Sequence, residues 1–288
     1  MKLAHLILTH NHPDHLKRLI QRLTYGDDVI FIHVDKKVDI TTFHNLISNK
    51  NVFFIKNRTS IDWGAFNIVK ATLKSFQEIL HSGTEYQYIN LLSGSDYPLQ
   101  MPVTIHQFLT DHPGKAFMNY RFIYDDWQEA IPRINEYHLN NYQFPGRYKV
   151  QKIMNRLLPT RTMPYGLVPV GRSQWFTIPT ECVKYILEYW ATHPALRRFT
   201  RLTWAPDEFI FQTILYNSEY RHILINNDLR LIDWSEGKAS PKTFTLKDKD
   251  QLLSSDKLFA RKFDSKNCPE ILDCLDKKLI SVPQVSPV

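Results

Sequence analysis

The strongest constraint on the fold is a series of strand-length apolar runs that alternate with helical patterns. These runs cover residues 3–9, 29–34, 52–55 and 86–92. A helical periodicity, with leucine or isoleucine at 16, 19, 20 and 23, separates the first two. Buried runs of this kind, joined by helices, are typical of a parallel sheet that is covered on both faces. The sequence therefore predicts an α/β fold with a central, mostly parallel sheet.

The residues that follow these runs are candidates for a ligand site, because ligands bind beyond the carboxyl ends of parallel strands. The first three runs lead into Leu8, Thr9 and His10, into Asp35, Lys36 and Lys37, and into a loop with Asp62 and Trp63. The fourth run leads into a loop with turn chemistry, residues 93–98. We expect the first three strand ends to converge on one pocket.

A second constraint is the segment 203–215, which reads TWAPDEFIFQTIL. Its second half is densely apolar, which predicts that it is buried. Pro206 fits the first position of a helix, and Asp207 and Glu208 follow in the first turn, where the helix dipole favours acids. The acid pair therefore either stabilises a helix N-terminus or places carboxylates at the mouth of a buried site.

The composition is that of a globular protein of 288 residues. No repeat, low-complexity linker or clear seam is visible, so a single domain over residues 1–288 is expected. Between residues 119 and 162 the apolar pattern weakens into aromatic and basic residues, which predicts an insertion that shapes an acceptor site. The net charge of +7 favours an anionic partner. Because the cations are scattered and no nucleic-acid-binding signature is present, nucleic acid is not expected.

Cysteine usage and hydropathy indicate the compartment. Cys182, Cys268 and Cys274 are odd in number and lack metal-ligand spacing, which favours buried thiols in a reducing environment. No run approaches the roughly 20 apolar residues of a membrane span, and the first strand begins without a signal peptide. The sequence predicts a cytoplasmic protein, with peripheral attachment to the anionic inner face of the cytoplasmic membrane as an option.

One motif suggests a different chemistry. Residues 9–15 read THNHPDH, which matches the T-H-x-H-x-D-H pattern of metallo-β-lactamase-like hydrolases. Histidines with a carboxylate are a plausible zinc set that leaves a position for water. Against a zinc site, the motif follows the first strand directly and no later glycine-flanked histidine segment completes it. A zinc-dependent hydrolase and a solvated loop after the strand both remain open.

Seven blocks along the chain carry a family resemblance. They read HVDKK at 33–37, DWGAFNIVKATL at 62–73, INLLSGSDYPL at 89–99, GRSQWFTI at 171–178, APDEFIFQTIL at 205–215, LRLIDW at 229–234 and KLFARKFD at 257–264. In this order they resemble the core-2/I-branching β-1,6-N-acetylglucosaminyltransferase family (glycosyltransferase family 14), which includes the peptide O-xylosyltransferases. The resemblance runs from near residue 5 to about residue 279.

The resemblance implies a GT-A-like, Rossmann-like fold and an inverting glycosyltransferase that needs no divalent metal. The glutamate of the P-D-E block corresponds to Glu208, which the resemblance makes the catalytic base. Inversion in a single displacement needs a carboxylate that removes the proton of the acceptor hydroxyl. Asp207 is expected to be structural, as a helix cap.

The departing diphosphate needs positive charge, which a metal held by a D-x-D pair usually supplies. The loop after the fourth strand offers a single carboxylate, Asp96. In the metal-independent relatives two basic residues replace the ion, and their counterparts here are Lys262 and Lys242. The alignment at Lys242 needs a gap and an arginine is usual there, so Arg261 is the alternative.

The resemblance also implies the remaining contacts. The nucleotide is expected to meet Leu8, Thr9, His10, Asp35, Lys36, Lys37 and Trp63. Weaker matching places Arg121, Trp127 and Glu129 at the acceptor. The expected donor is UDP-N-acetylglucosamine, with UDP-xylose second, and the expected acceptor is a glycan or glycolipid of a bacterial surface polysaccharide. A catalytically inactive module that binds sugar or nucleotide is the remaining alternative.

Overall fold

The computed structural model describes residues 1–45 and 49–281. Within these ranges, ten strands form a seven-stranded sheet in the order β3-β2-β1-β4-β7-β6-β8 and a three-stranded sheet in the order β5-β10-β9. The strands are β1 (Leu3–Thr9), β2 (Val29–Val34), β3 (Val52–Phe54), β4 (Tyr88–Ser93), β5 (Asp96–Pro98), β6 (Ala116–Phe122), β7 (Val170–Pro179), β8 (Leu224–Asn226), β9 (Arg230–Ile232) and β10 (Phe259–Arg261).

The large sheet is mostly parallel, as the sequence predicts. β1 pairs in parallel with β2 and β4, and β2 pairs in parallel with β3. β7 runs antiparallel to both of its neighbours, β4 and β6. Every residue of β1, β2 and β4 is buried, which explains why these strands are apolar on both faces.

Helices cover both faces of this sheet. They are α1 (Pro13–Leu23), α2 (Thr41–His44), α3 (Asn67–Leu80), α4 (Pro102–Asp111), α5 (Ile131–Asn135), α6 (Arg147–Leu157), α7 (Thr180–Thr192), α8 (Pro194–Arg201), α9 (Ile210–Tyr216), α10 (Lys249–Ser254) and α11 (Pro269–Ser281). One hydrophobic core contains buried side chains of α3, α7 and α9, and a second contains those of α1, α4 and α11. None of the helices in the described residues is long and apolar enough to cross a bilayer.

The structure corrects several boundaries. The sequence also predicts helices over 65–80 and 99–109 and a short strand over 173–177; in the structure these are α3, α4 and the ten-residue β7. The turn predicted after the fourth strand includes the short strand β5, which pairs with β10. The predicted insertion over 119–162 begins inside β6, a strand of the central sheet, so the segment outside the sheet starts after Phe122.

The largest local difference from the prediction lies in the segment that carries Asp207 and Glu208. Pro206, Asp207 and Glu208 form a 3-10 turn, and α9 begins only at Ile210 after a break at Phe209. Asp207 makes no capping hydrogen bond, so the expectation that it caps a helix is wrong. The burial of the apolar half is confirmed, because every residue of α9 is buried.

Candidate functional site

The carboxyl ends of β1, β2 and β4 meet at one edge of the sheet. The backbone N–H of Asp35 donates to the carbonyl of Thr9 (2.8 Å), and that of Gly94 donates to the carbonyl of Leu8 (2.8 Å). The end of β1 therefore lies between the predicted nucleotide loop of β2 and the loop after β4. His10 follows directly after β1, and it is exposed.

Asp35 organises the loop that follows β2. Its two carboxylate oxygens accept hydrogen bonds from the backbone N–H groups of Lys37 (2.9 Å) and Ile61 (3.2 Å). The Lys37 ammonium donates to the Ile61 carbonyl (2.6 Å) and pairs with Asp62 (3.0 Å). The Asp35 side chain is buried. It therefore fixes the two loops against each other.

The pKa of His10 depends on its burial and on the charges around it. Partial burial lowers its pKa, the Asp35 carboxylate opposes this shift, and the charges of His12, Lys37 and Arg261 add to the lowering. The geometry agrees with this: the loop after β4 bonds the end of β1 through Gly94 N–H and the Leu8 carbonyl (2.8 Å), and it bonds Arg261 at the end of β10 through Asp96 (2.9 Å). The structure thus brings the predicted nucleotide residues and the predicted diphosphate cations to one region.

Asp96, the single carboxylate of the loop after β4, is fully buried. One of its oxygens accepts from the backbone N–H of Ser93 (2.9 Å), and the other accepts from Arg261 Nη1 (2.9 Å). Burial raises the pKa of Asp96, and the neighbouring Arg261 guanidinium counteracts that shift. The guanidinium also lies 4.6 Å from the ring centroid of Trp175. Asp96 is thus held inside the structure and does not face the pocket.

The two lysines predicted for the diphosphate differ in their partners. Lys242 Nζ pairs with Asp248 (2.5 Å) and lies 3.7 Å from Asp233. Lys262 is partly buried, and its ammonium forms no ion pair or hydrogen bond within the described part of the chain. Its backbone belongs to the turn that follows β10, where Phe263 N–H donates to the Ser95 carbonyl (2.9 Å). Lys262 therefore offers an uncommitted positive charge beside the loop after β4.

The turn that carries Glu208 is pressed against β7. A Cβ atom on Gly171 would lie 2.3 Å from Phe209 Cα, so only glycine allows this approach. Ala205 adopts a left-handed conformation (φ 45°) and its N–H donates to the Gly64 carbonyl (2.8 Å). A strained non-glycine residue next to a functional group is a feature of sites whose geometry is enforced by the surrounding structure.

Glu208 is partly accessible, with 33% of its side chain exposed. Its Oε2 accepts a hydrogen bond from Arg133 Nη1 (2.5 Å), and Oε1 has no partner among the described residues. The Arg133 guanidinium is sandwiched between aromatic rings, 4.7 Å from Trp127 and 4.3 Å from Trp204. One oxygen of Glu208 is therefore fixed by a rigid cation, and the other is available for a substrate.

Asp207, the neighbour of Glu208, is enclosed. Its residue is buried, and its Oδ1 has no hydrogen-bond partner in the described chain. Burial raises the pKa of Asp207 to about 7, and the Glu208 charge adds to the increase. The two adjacent acids thus occupy different environments, one enclosed and one at the surface of the site.

The predicted ring and acceptor residues have different positions. Trp63 is 71% exposed, and its ring lies edge-on to Trp204 with the centroids 5.5 Å apart. Trp127 is buried beneath Arg133 and Arg172, so its ring face is covered by protein. Arg121 and Glu129 are exposed. Burial lowers the pKa of Arg172, the Arg121 charge adds to this lowering, and the Glu129 carboxylate opposes it.

The histidine run does not assemble as a zinc set. The helix α1 begins at Pro13, and His15 is buried with Nε2 3.2 Å from the Asp96 carbonyl oxygen. Burial lowers the pKa of His15 to about 4. No group of three or more metal-binding side chains lies together in residues 1–45 and 49–281. Because His15 is directed into the core, the geometry gives the zinc-hydrolase alternative no support.

Sequence reasoning missed Arg133, Arg161 and Arg172. Arg133 lies in the loosely matched segment after β6, 75 positions before its partner Glu208, and no local spacing links the two. The flanking residues Ile131, Pro132 and Ile134 were the available signal, because an arginine between apolar residues needs a buried partner.

Comparisons with known proteins agree with the sequence pattern. The profile of the Core-2/I-Branching enzyme family matches residues 3–253. Xylosyltransferase 2 of Rattus norvegicus is 26% identical over 311 residues, which cover 96% of this chain and 33% of that protein. Xylosyltransferase oxt of Drosophila pseudoobscura pseudoobscura is 25% identical, with coverage of 86% and 30%. The chain therefore spans about a third of the length of these curated relatives. The crystal structure of mouse xyloside xylosyltransferase 1, apo form, aligns with 90% of this chain and 97% of its own, at 12% identity and a TM-score of 0.40.

Proposed function

Because the chain belongs to the Core-2/I-Branching enzyme family, we propose that it is a glycosyltransferase that moves a sugar from a UDP-sugar to a hydroxyl group of a glycan. The family, and the α/β fold with a central, mostly parallel sheet expected from the sequence, are both confirmed. The observation that carries the proposal is Glu208, a partly exposed carboxylate with one oxygen fixed by Arg133 and the other free.

Glu208 acts as the general base in this proposal. Its Oε1 takes the proton of the acceptor hydroxyl, the acceptor oxygen forms a bond to the anomeric carbon, and the bond from that carbon to the β-phosphate oxygen breaks. UDP leaves from the opposite face, so the configuration is inverted. Arg133 holds Oε2 and keeps the carboxylate oriented, which supports proton transfer at a defined atom.

The negative charge that develops on UDP is met by Lys262, whose ammonium is otherwise uncommitted. Arg261, the alternative second cation, is held in place by its ion pair with Asp96 (2.9 Å). We propose that transfer needs no divalent cation, because these cations lie beside the loop where Asp96 is already engaged. Lys242 remains a candidate second ligand, and its ammonium would have to exchange Asp248 for phosphate.

The identities of the donor and the acceptor are also proposals. UDP-xylose is the first donor to test, because the relatives are named as xylosyltransferases. UDP-N-acetylglucosamine, the donor favoured by the sequence resemblance, is the second. The acceptor is proposed to be a glycan or glycolipid of a bacterial surface polysaccharide, and the site of action is the cytoplasm or its membrane face. The exposed Trp63 beside Trp204 offers an aromatic surface for a nucleotide or sugar ring.

The test is thermal stabilisation of the EDTA-treated protein by UDP, UDP-xylose, UDP-N-acetylglucosamine and zinc, followed by transfer assays with the stabilising donors. A ligand that binds only the folded state raises its apparent stability. We expect a rise with UDP that added metal does not increase. A rise with zinc and none with any nucleotide would overturn the proposal and restore the hydrolase alternative.

The transfer assay separates an enzyme from an inactive binding module. Release of UDP that depends on an added glycan, followed by mass spectrometry of the glycan, identifies a turnover product. Stabilisation by UDP-sugars without transfer to any of a panel of glycans would favour the inactive module.

A further inference from the structure

The helix α6 has an unusual surface. None of its residues is buried, and Ile153 and Leu157, one turn apart, are 56% and 74% exposed. More than half of the large hydrophobic side chains that are exposed in the described residues lie between positions 142 and 168. Apolar side chains gathered on one surface mark an interaction site, whereas isolated ones do not.

The side of α6 that faces the protein is mostly polar: Arg147, Gln151 and Asn155 are partly buried there together with the apolar Met154. Gln151 Oε1 accepts from the Leu139 N–H (2.9 Å), and Asn155 bonds both the N–H and the carbonyl of Tyr137 (2.7 and 3.1 Å). The usual arrangement of a surface helix, with apolar residues inward and polar residues outward, is therefore reversed. A helix attached by amide side chains leaves its apolar residues for a partner outside the chain.

The segment that carries this apolar surface has charges of one sign. No aspartate or glutamate occurs between residues 137 and 180. Lys149, Lys152 and Arg156 on α6 are exposed, and none of them forms an ion pair within the described part of the chain. Cations that flank exposed isoleucine and leucine are the pattern of a helix that lies in the interface of an anionic membrane.

We propose that α6 docks this protein on an anionic lipid bilayer, with Ile153 and Leu157 inserted between headgroups and the flanking cations against lipid phosphates. A second copy of the chain fits this surface poorly, because a two-fold contact would bring the same unpaired cations together. An acidic bilayer supplies both the apolar depth and the negative charge that this surface lacks.

The position of α6 relative to Glu208 gives the docking a consequence. Arg161, just after α6, is buried and donates to the Phe199 carbonyl (2.6 Å) and to Thr203 Oγ1 (3.0 Å). These two residues lead directly into the turn that carries Glu208. The helix is therefore fixed to the catalytic segment proposed above, and docking brings that segment to the bilayer, where a lipid-linked acceptor would lie. This consequence rests on the proposed function, but the docking itself does not.

The experiment is sedimentation of the full chain with vesicles of phosphatidylcholine alone or mixed with phosphatidylglycerol, at low and physiological salt. We expect binding to the anionic vesicles that weakens with salt, and little binding to the neutral ones. Lys152→Gln with Arg156→Gln should lower the partition coefficient about fivefold for each cation removed. Lys17→Gln with Lys277→Gln, which removes exposed lysines from α1 and α11, is the matched control and should bind nearly as wild type.

A second pair of variants tests the apolar contact. Ile153→Ser with Leu157→Ser should reduce binding about tenfold or more, while Ile280→Ser, which alters an equally exposed residue of α11, should not. Because these side chains are exposed, all variants should keep the wild-type melting temperature. If the Ile153→Ser, Leu157→Ser variant has a lower melting temperature, the Lys152→Gln, Arg156→Gln variant decides whether α6 binds the bilayer.

Two results would overturn the proposal. One is wild-type protein that stays in the supernatant with anionic vesicles, or binding that is unchanged both by Lys152→Gln with Arg156→Gln and by Ile153→Ser with Leu157→Ser. The other is a dimer in sedimentation velocity that dissociates in the Ile153→Ser, Leu157→Ser variant, which would assign the surface to a second copy. Neither result depends on turnover, so failure here leaves the proposed transfer reaction intact.

Discussion

The loop Ser93–Asp96 and the turn Pro206–Glu208 each carry a carboxylate of the candidate site. These two carboxylates, Asp96 and Glu208, have opposite environments. Asp96 is fully buried and bonded through both oxygens, to the Ser93 N–H and to Arg261. Glu208 is one-third exposed and bonded through one oxygen, to Arg133. An acid whose lone pairs are occupied positions its neighbours, whereas an acid with a free oxygen can accept a proton.

This difference shows that residue type alone does not tell which of two carboxylates can act as a base. Both acids lie in motif blocks of the same family, and both have an arginine within hydrogen-bond distance. What separates them is the accessible lone pair, which depends on the elements packed around each one. The predictions below use substitutions that would abolish or sharpen this contrast.

The largest expected effect is that of Glu208→Gln on turnover. Glutamine keeps the shape and the contact with Arg133 but cannot take a proton, so we expect transfer to fall about 10²- to 10⁴-fold. UDP should stabilise the variant as it does the wild type. Transfer is followed by UDP release in the presence of acceptor. Retention of wild-type turnover would remove Glu208 from the role of base.

Asp96→Asn should affect stability instead. Asparagine can still accept from the Ser93 N–H, but Arg261 loses its counter-charge in a mostly buried position. Removing one partner of a buried ion pair costs about 3–5 kcal/mol, and we expect the lower part of that range in urea unfolding. Asp250→Asn, which removes an exposed acid from α10, serves as the control. Equal stability of the two variants would mean that the Asp96 pair contributes nothing.

The two lysines extend the contrast to the cations. Hydrogen bonds to charged groups contribute about 1.5–3 kcal/mol, so Lys262→Ala should weaken UDP binding about tenfold or more in calorimetry. Lys242→Ala should weaken it less, because Lys242 is already paired with Asp248. Equal losses of affinity would place both lysines at the diphosphate, as the sequence resemblance implies.

The sheet was predictable because its signal is local. Buried strands such as β1 and β2 are continuous apolar runs, and their carboxyl ends follow from the parallel arrangement alone. The convergence of Thr9 and Asp35 needed no knowledge of side-chain contacts. The roles of the predicted site residues, including Glu208, stay predictions.

The rest depended on contacts between distant positions. Arg133 and Glu208 are 75 positions apart in the sequence. The apolar residues around Arg133 indicate that it is buried, but they do not indicate which residue it pairs with. The break at Phe209 was missed because its cause lies in β7, where Gly171 admits the turn. The reversed helix α6 was read only as a weak pattern, since amphipathic periodicity does not say which face meets the protein.

The contrast also extends to Asp207, a second buried acid that, unlike Asp96, has no bonded cation in the described chain. Burial and the Glu208 charge raise its pKa to about 7, above the unfolded value of about 3.9. The unfolded state therefore releases the proton first, and the folded state loses stability as pH rises from about 4 through 7, by at most about 1.4 kcal/mol per pH unit for one proton. Asp207→Asn should remove this loss. The free energy of unfolding of this variant, measured in urea relative to that of the wild type, should therefore increase from pH 5 to pH 8. The same comparison in a Glu208→Gln background should give a smaller change, because the repulsive neighbour is gone. A pH dependence identical in wild type and Asp207→Asn would show that Asp207 does not titrate in this range.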